Sequence, residues 1–186
     1  MAVSRLRIAG GAARGVPLVE PRGVRLRPTS GLVREAIANI LGDRLAGARV
    51  LDLFAGTGAL GIEAISQGAA HATFIDSEAA CCQAIVQSLT RAGLAAQGRV
   101  LRGKLPGALA QAGGPFEIIL LDPPYAATEA AEILALLAPF LAGGGVVVYE
   151  HTSRYNPPER PSGLQLTDRR LYGDSAVAFY IGQEGQ

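Results

Sequence analysis

The segment from Val50 to Gly61, VLDLFAGTGALG, constrains the fold of this chain more than any other. It has the pattern of a buried apolar strand, a glycine-rich turn and the opening of a helix. Such a junction brings backbone N–H groups and a helix N-terminus close to a ligand. Gly56, Gly58 and Gly61 satisfy the G-x-G-x-x-G pattern, which is typical of dinucleotide sites and of other nucleoside sites alike.

Two acidic residues bear on which ligand this loop binds. Asp76 ends the next apolar run about 20 residues after the first glycine, where a ribose-binding acid is expected. Asp52 precedes the loop, and a carboxylate there would repel a pyrophosphate but could pair with a cationic amino-acid tail. This favours S-adenosylmethionine (SAM), which has no phosphates, over NAD. A NAD-dependent oxidoreductase is the alternative from another functional class.

Strand patterns alternate with helical patterns over most of the chain. The predicted strands are Arg49–Phe54, His71–Asp76, Arg99–Arg102, Glu117–Asp122 and Gly145–Glu150. The predicted helices are Gly31–Leu41, Ala59–Gln67, Glu78–Ala92, Leu105–Gln111 and Glu129–Leu141. Continuous apolar strands suit a parallel sheet covered on both faces. The alternation predicts a doubly wound α/β fold with its ligands at the carboxyl ends of the strands.

The C-terminal part breaks the parallel pattern. Leu164–Tyr172 and Ser175–Ile181 are joined by only two residues, and so short a connection requires an antiparallel hairpin. A mostly parallel sheet of seven strands that ends in an antiparallel hairpin is the Rossmann-like fold of class I SAM-dependent methyltransferases. Nicotinamide-binding Rossmann domains usually lack that hairpin.

The N-terminal part is basic. The first 49 residues carry nine arginines against three acidic side chains. Arginine suits phosphate and stacks on bases, so this charge favours a nucleic-acid face, with a merely solvated surface as the alternative. Residues 5–19 alternate around paired glycines and predict a short β-hairpin that packs on the main domain. We call residues 1–30 the N-terminal arm and residues 31–186 the main domain. On the helix that follows, Arg34 and Glu35 lie off the apolar stripe and are predicted to form a surface pair.

Composition predicts where the protein is located and whether it binds a metal. No uninterrupted run of about 18 apolar residues and no signal-peptide pattern is present, which predicts a cytoplasmic protein without a membrane span. Cys81 and Cys82 are adjacent and lack metal-ligand spacing, so no metal site is expected. His71 and His151 lie far apart in sequence, and we predict that both are non-catalytic. Nothing in the sequence indicates an obligate dimer, and a monomer is expected.

The segment Asp122-Pro123-Pro124-Tyr125 ends the fourth predicted strand, at the ligand edge of the sheet. The two prolines fix the backbone and remove two N–H donors, leaving carbonyls as acceptors. The Asp122 carboxylate and the Pro123 carbonyl could accept both hydrogens of an exocyclic amino group on a base. That arrangement would turn the nitrogen lone pair toward a sulfonium methyl group. Tyr125 could stack on a base splayed out of its helix.

These segments resemble the bacterial small-subunit ribosomal RNA guanine-N2 methyltransferases of the RsmD type. The resemblance spans nearly the whole chain in order. It rests on RIAGG at residues 7–11, LRPT at 26–29, Arg34-Glu35, the glycine loop, DPPY at 122–125 and YGDS at 172–175. It implies methylation of the 2-amino group of one guanine in 16S ribosomal RNA, within a partly assembled subunit, with SAM as the cofactor.

The resemblance also implies roles for individual residues. The cofactor-binding set is Asp52, Phe54, Ala55, Gly56, Gly58, Asp76 and Ser77. The catalytic set is Asp122, Pro123 and Tyr125. The RNA-binding set is Arg7, Arg14, Arg25, Arg27, Thr29 and Arg34. Relatives commonly place Asn or Asp after the third strand, where this chain has Arg102-Gly103-Lys104, so the contact to the SAM adenine stays unassigned.

Two further functions stay open within this fold. An adenine-N6 DNA methyltransferase would use the same DPPY segment, since that segment serves both kinds of amino group. The absence of a separate DNA-recognition domain argues against it. A non-catalytic RNA-binding assembly factor is the other alternative, which the intact Asp122 and glycine loop oppose.

Overall fold

The computed structural model describes residues 6–24, 26, 29–124 and 127–183, and for residues 127–129 it describes the backbone alone. The α-helices are α1 (Gly31–Leu41), α2 (Ala59–Ser66), α3 (Ala79–Ala92) and α4 (Ala127–Leu134). The strands are β1 (Arg49–Leu53), β2 (His71–Asp76), β3 (Gly98–Arg102), β4 (Phe116–Leu121), β5 (Leu141–Thr152), β6 (Leu164–Tyr172) and β7 (Ser175–Gly182). Within the described ranges, every helix falls short of the length and apolar character that a membrane crossing requires.

The strands form one sheet in the order β3-β2-β1-β4-β5-β7-β6. Strands β1 to β5 are parallel, whereas β7 pairs antiparallel with both β5 and β6. This confirms the predicted seven-stranded sheet and its C-terminal hairpin. The carboxyl ends of β1 and β4 lie side by side because Leu53 pairs with Leu121, so the glycine loop and the DPPY segment leave the sheet as neighbours.

Apolar side chains fill both faces of the sheet. One cluster joins the N-terminal arm and α1, α2 and α3 to one face, and a second joins α4 and the segments around residues 105–112 to the other. Strands β1 and β4 are therefore buried on both sides, as their uninterrupted apolar runs predict.

The N-terminal arm is fastened to the main domain by polar side chains from the helices. Glu63 and Ser66 on α2 and Ser88 on α3 accept backbone N–H bonds from the arm at 2.7–2.9 Å. Ile8 and Leu18 are 2% and 1% exposed, and both belong to a core cluster of the main domain. The expectation that the arm packs on the main domain is confirmed, while the division at residue 30 stays a prediction.

The predicted N-terminal hairpin is present but short. Arg7 and Pro17 form an antiparallel bridge, and the Ile8 and Leu18 N–H groups bond the Val16 and Leu6 carbonyls at 3.0 and 2.9 Å.

One predicted element differs from the structure. The predicted helix Glu129–Leu141 is wrong at its C-terminal end. Helix α4 stops at Leu134, a 3₁₀ turn follows at Ala138–Phe140, and β5 begins at Leu141. Pro139 keeps the helix from continuing to Leu141, since it has no N–H to bond the carbonyl four residues earlier.

Candidate functional site

A cavity of about 510 Å³ opens at the carboxyl ends of β1, β2, β4 and β5. This volume lies within the range of small-molecule sites, about 300–1,000 Å³. We call the wall formed by residues 52–61 and 75–78 the loop side. We call the wall formed by Thr29, residues 122–124 and residues 149–152 the proline side. Val24 and Leu26 from the N-terminal arm complete the lining, a contribution that the sequence analysis did not predict.

The loop side is shaped by left-handed backbone. Phe54, Gly56 and Gly58 have φ values of 56°, 54° and 74°, and Phe54 is the one described residue other than glycine with positive φ. Such strain is typical of functional sites, where surrounding structure enforces it. A Cβ on Gly58 would lie 2.9 Å from Cγ1 of Ile85, so the loop approaches α3 too closely for a side chain. Of the predicted loop residues, Asp52, Phe54, Ala55 and Gly56 line the cavity, whereas Gly58 lies behind them against α3.

Asp52 lies beneath this loop with 1% of its surface exposed. Its Oδ2 accepts the backbone N–H of Gly61 at 2.9 Å, which ties the end of β1 to the first turn of α2. Burial raises the pKa of Asp52 well above its ordinary value, and the Asp122 and Asp76 carboxylates raise it further. The Gly61 N–H opposes this rise. A cation bound in the cavity would stabilise the ionised form of this carboxylate.

Asp76 connects the glycine loop to the end of β2. Its Oδ2 accepts the N–H of Gly56 at 2.8 Å and its Oδ1 accepts the N–H of Glu78 at 2.9 Å. A carboxylate has about four lone-pair positions, so both oxygens keep capacity for ligand hydroxyls. Ala55 donates its N–H to the Ile75 carbonyl at 3.1 Å, which fixes the loop from its other side.

Further residues next to the loop side line the cavity after β2, on α3 and after β3. Ser77 is exposed, and its carbonyl accepts Arg102 Nε at 3.3 Å. Gly103 and Lys104 line the cavity after β3, at the place where the resemblance left a contact unassigned. Burial raises the pKa of the Cys81 thiol to about 12, so this lining residue stays protonated. Among the described residues, no group of three His, Cys, Asp or Glu side chains is arranged to hold a metal ion.

On the proline side, the structure brings together two residues that the sequence analysis assigned to different functions. Thr29, predicted to bind RNA, donates its hydroxyl to Asp122 Oδ2 at 2.6 Å. The two residues are 93 positions apart, so no local pattern signals the contact. Pro123 and Pro124 line the cavity beside them. Tyr125 lies outside the described residues, and its base-stacking role stays a prediction.

Arg34 is not a surface residue, so that prediction is wrong. Its residue is 4% exposed, and its Nη1 and Nη2 donate to the carbonyls of Thr29 and Arg7 at 3.0 and 3.1 Å. Burial lowers the pKa of Arg34, an effect that Glu63 and other nearby carboxylates oppose. Both terminal nitrogens are engaged inside the protein, which argues against the predicted contact with RNA phosphate.

The other predicted RNA-binding arginines lie on the arm. Arg7 and Arg14 are exposed, and Arg7 Nη1 donates to the Gly15 carbonyl at 2.8 Å. Arg25 and Arg27 lie outside the described residues. A phosphate-binding role for these four residues stays a prediction.

The end of β5 adds residues that the sequence analysis left outside the site or did not assign. Glu150 and His151 are buried and line the cavity, and Glu150 Oε1 accepts the Ser175 hydroxyl at 3.2 Å. The rings of Tyr149, His151 and Tyr155 form a cluster with centroids 5.0–6.4 Å apart. Tyr155 comes from the proline-rich segment between β5 and β6.

A backbone carbonyl orients the ring of His151. Its Nδ1 lies 2.8 Å from the Thr152 carbonyl, which can only accept, so Nδ1 carries the proton. Burial lowers the pKa of His151, and Arg169 lowers it further against the effect of the Thr152 carbonyl. That His151 is non-catalytic stays a prediction.

A family model described as "Conserved hypothetical protein 95" matches residues 6–181. "Putative rRNA methyltransferase YlbH" of Bacillus subtilis is 35% identical over 180 residues, with 94% of this chain and 98% of that protein covered. "Ribosomal RNA small subunit methyltransferase D" of Escherichia coli is 36% identical over 180 residues, with 95% of this chain and 89% of that protein covered. The resemblance inferred from the sequence is therefore confirmed.

Solved structures agree with this result. "Putative methyltransferase yhhF" from Escherichia coli superimposes with a TM-score of 0.84 at 33% identity, with 96% of this chain and 98% of that chain covered. A hypothetical protein of Thermus thermophilus, TTHA0928, superimposes with a TM-score of 0.78 at 31% identity, with 94% and 98% covered. The predicted class I methyltransferase fold is confirmed.

Proposed function

Because the chain belongs to the Conserved hypothetical protein 95 family, we propose that it methylates the exocyclic 2-amino group of a guanine in 16S ribosomal RNA. The cofactor is SAM, and the substrate is a partly assembled small subunit in the cytoplasm. One observation carries this proposal: the glycine loop and Asp122-Pro123 face a single cavity. A methyl donor on one wall can therefore meet an amino group on the other.

The loop side suits SAM. Gly56 and Gly58 let the backbone approach a nucleoside closely, and Asp76 keeps acceptor positions for ribose hydroxyls. Asp52 is a buried carboxylate that a nearby cation would stabilise, and the amino-acid end of SAM carries an ammonium group. When bound, SAM supplies an electrophilic methyl group on a sulfonium.

The proline side suits an amino group attached to an aromatic base. Such a group offers two N–H donors, while its lone pair is delocalised into the ring. The Asp122 carboxylate and the Pro123 carbonyl accept the two hydrogens, and this turns the lone pair toward the methyl donor. Asp122 then takes the proton that the nitrogen loses. Alignment of this kind supplies most of the rate, because methyl transfer from a sulfonium needs no strong base.

The arm provides the surface for RNA. Arg7, Arg14 and Arg22 are exposed on it, close in sequence to the segment that lines the cavity with Val24 and Leu26. Phosphate contacts of this kind position a nucleic acid without reading its sequence. The choice of base is then made inside the cavity, on a nucleotide splayed out of its helix.

The test is transfer of labelled methyl from SAM to small-subunit RNA and to small-subunit particles that lack the modification. Nuclease digestion then identifies the labelled base. We expect label on guanine N2 from the wild type and at least 100-fold less from Asp122→Ala, which loses the acceptor of the amino group. Label on adenine, or none despite measured SAM binding, would contradict the proposal.

A further inference from the structure

The contact between Thr29 and Asp122 has the features of a strong hydrogen bond. The distance of 2.6 Å falls in the range of hydroxyl-to-carboxylate bonds, about 2.5–2.7 Å. Both residues line the cavity, so the bond lies at the wall where the acceptor base must sit. The bond from the Thr29 hydroxyl restricts the rotation of the Asp122 carboxylate and so limits the directions of its oxygens.

Thr29 is in turn held by Arg34. One guanidinium donates to the Thr29 carbonyl at 3.0 Å and to the Arg7 carbonyl at 3.1 Å. It therefore joins the start and the end of the N-terminal arm. The planar guanidinium holds its donors at fixed angles, and burial at 4% exposure restricts its movement further.

The start of α1 fixes the backbone next to Thr29. Ser30 is the N-cap, with its hydroxyl accepting the Val33 N–H at 3.2 Å, and its carbonyl accepts the Arg34 N–H at 3.1 Å. Thr29 thus lies between a capped helix and a buried cation. This placement leaves its hydroxyl directed at Asp122 rather than at solvent.

We infer that Thr29 is a positioning residue for Asp122 and that Arg34 sets the position of Thr29. The hydroxyl holds Oδ2 so that Oδ1 and the Pro123 carbonyl face the amino group of the acceptor base. Because Arg34 also binds the Arg7 carbonyl, the same network connects the arm to the catalytic carboxylate. This inference rests on the proposed function, since Asp122 must act on an amino group for its orientation to matter.

The test compares Thr29→Val with Thr29→Ser. Valine keeps the shape of threonine and removes the donor, whereas serine keeps the donor. We expect T29V to lower kcat about 10- to 100-fold with little change in KM for RNA or in the Kd of SAM. T29S should keep kcat within about threefold of the wild type. Thr90→Val on the exposed face of α3 is the matched control, because its hydroxyl bonds only the Val86 carbonyl of its own helix.

A double-mutant cycle on unfolding tests the contact without any substrate. T29V should raise the equilibrium constant of unfolding about fivefold to tenfold in the wild-type background. The increase should be much smaller when Asp122→Ala is already present. Equal effects in both backgrounds would show that the contact is absent and overturn the inference. Coupling without a loss of kcat in T29V would also overturn it.

The outcomes separate this inference from the proposed function. If the wild type labels adenine, the proposed function fails, but the T29V and T29S rates on that RNA still decide the role of Thr29. If the wild type labels guanine and T29V keeps its full kcat, only the role of Thr29 fails. If the wild type transfers no label to RNA, the reaction that Thr29 would serve is lost, and both fail.

Discussion

The two sides of the cavity differ in how far apart along the chain their contacts lie. On the loop side, Asp52 bonds Gly61 nine residues away, and Asp76 bonds Gly56 twenty residues away. On the proline side, Thr29 reaches Asp122 across 93 residues. The loop side is thus built within one strand–helix–strand unit, whereas the proline side exists only after the arm has packed on the finished sheet.

This difference predicts that cofactor binding and the methyl-transfer step depend on different parts of the chain. Among the described residues, the loop-side hydrogen bonds of Asp52 and Asp76 stay within residues 52–78, and the arm adds only the apolar side chains of Val24 and Leu26 to the lining. The loop side should therefore hold the cofactor without the hydrogen bonds of the arm. The orientation of Asp122 depends on the arm through Thr29 and Arg34. Substitutions on the proline side should therefore lower kcat without changing cofactor affinity, and substitutions on the loop side should change stability and cofactor affinity together.

The largest expected effect comes from Asp122→Asn, which keeps the shape of the side chain and removes its charge. We expect kcat to fall about 10²- to 10⁴-fold, because the amide cannot take the proton and offers a donor to a group that is itself a donor. Calorimetry should show an unchanged Kd for SAM. A matching loss of SAM affinity would show that the two sides are not separable.

Gly61→Ala should disturb the packing of the loop side. A Cβ there would lie 2.4 Å from Cε1 of Phe74 and 2.9 Å from Asp52 Oδ2, so the substitution overpacks the site. Alanine is the better helix former, yet we expect a loss of about 1–3 kcal/mol in the free energy of unfolding and weaker SAM binding. Denaturant unfolding measures the first effect and calorimetry the second.

Gly107→Ala is the control for this substitution, because a Cβ on Gly107 would meet no atom within 4 Å. It should leave the free energy of unfolding and the Kd of SAM unchanged. A G61A variant as stable as G107A would mean that the contact between α2 and β2 is looser than the structure shows.

The same contrast explains what the sequence could predict. That the glycine loop, Asp52 and Asp76 lie near one another could be predicted because strand–turn–helix order fixes their relative positions, while their role in binding the cofactor stays a prediction. The mostly parallel sheet followed from apolar strand runs in the same way. Helix α4 was predicted too long because its apolar spacing continues past Leu134, although Pro139 within that spacing lacks the N–H that a continuous helix needs.

The proline side could be predicted only in part. DPPY marks the end of β4, but nothing near Thr29 in sequence shows that it meets Asp122. Arg34 was placed on the surface because it lies off the apolar stripe of α1. The carbonyls that bind it belong to residues 7 and 29, which converge only in the folded chain. His151 was predicted to be non-catalytic, and its place at the cavity wall likewise depends on tertiary structure.

A smaller effect is expected from Arg34→Lys, which tests whether the proline side depends on the arm. Lysine replaces two guanidinium nitrogens at fixed positions by one nitrogen on a shorter side chain, so we expect at least one of the two carbonyl bonds to weaken, at a cost of about 1–2 kcal/mol in the free energy of unfolding. We expect kcat to fall several-fold as Thr29 loosens, with the Kd of SAM unchanged. Arg44→Lys is the control, since its single bond to the Gly144 carbonyl is exposed. An R34K variant with weakened SAM binding but normal kcat would contradict the division between the two sides.

The smallest expected effect is on the pH dependence of the free energy of unfolding, to which Asp52 on the loop side contributes. Burial raises the pKa of this carboxyl group, so the folded state favours its protonated form. Its stabilising contribution is therefore complete below the unfolded pKa of about 3.9 and is lost as the pH rises through the folded pKa. Asp52→Asn removes the titrating group and with it the loss of stability at high pH. We expect the free energy of unfolding to rise by up to about 1 kcal/mol near pH 7. Denaturant unfolding between pH 5 and pH 8, about the range in which such folds are most stable, measures the difference.

The same substitution should weaken SAM binding, because the neutral amide no longer attracts the ammonium group of the cofactor. Stability and affinity would then move in opposite directions, as expected where a buried charge serves binding at the expense of folding. Asp43→Asn, on the exposed turn after α1, is the control and should change neither property. If D52N kept full SAM affinity, Asp52 would serve only to hold Gly61, and the cation would have to be held by other residues of the cavity.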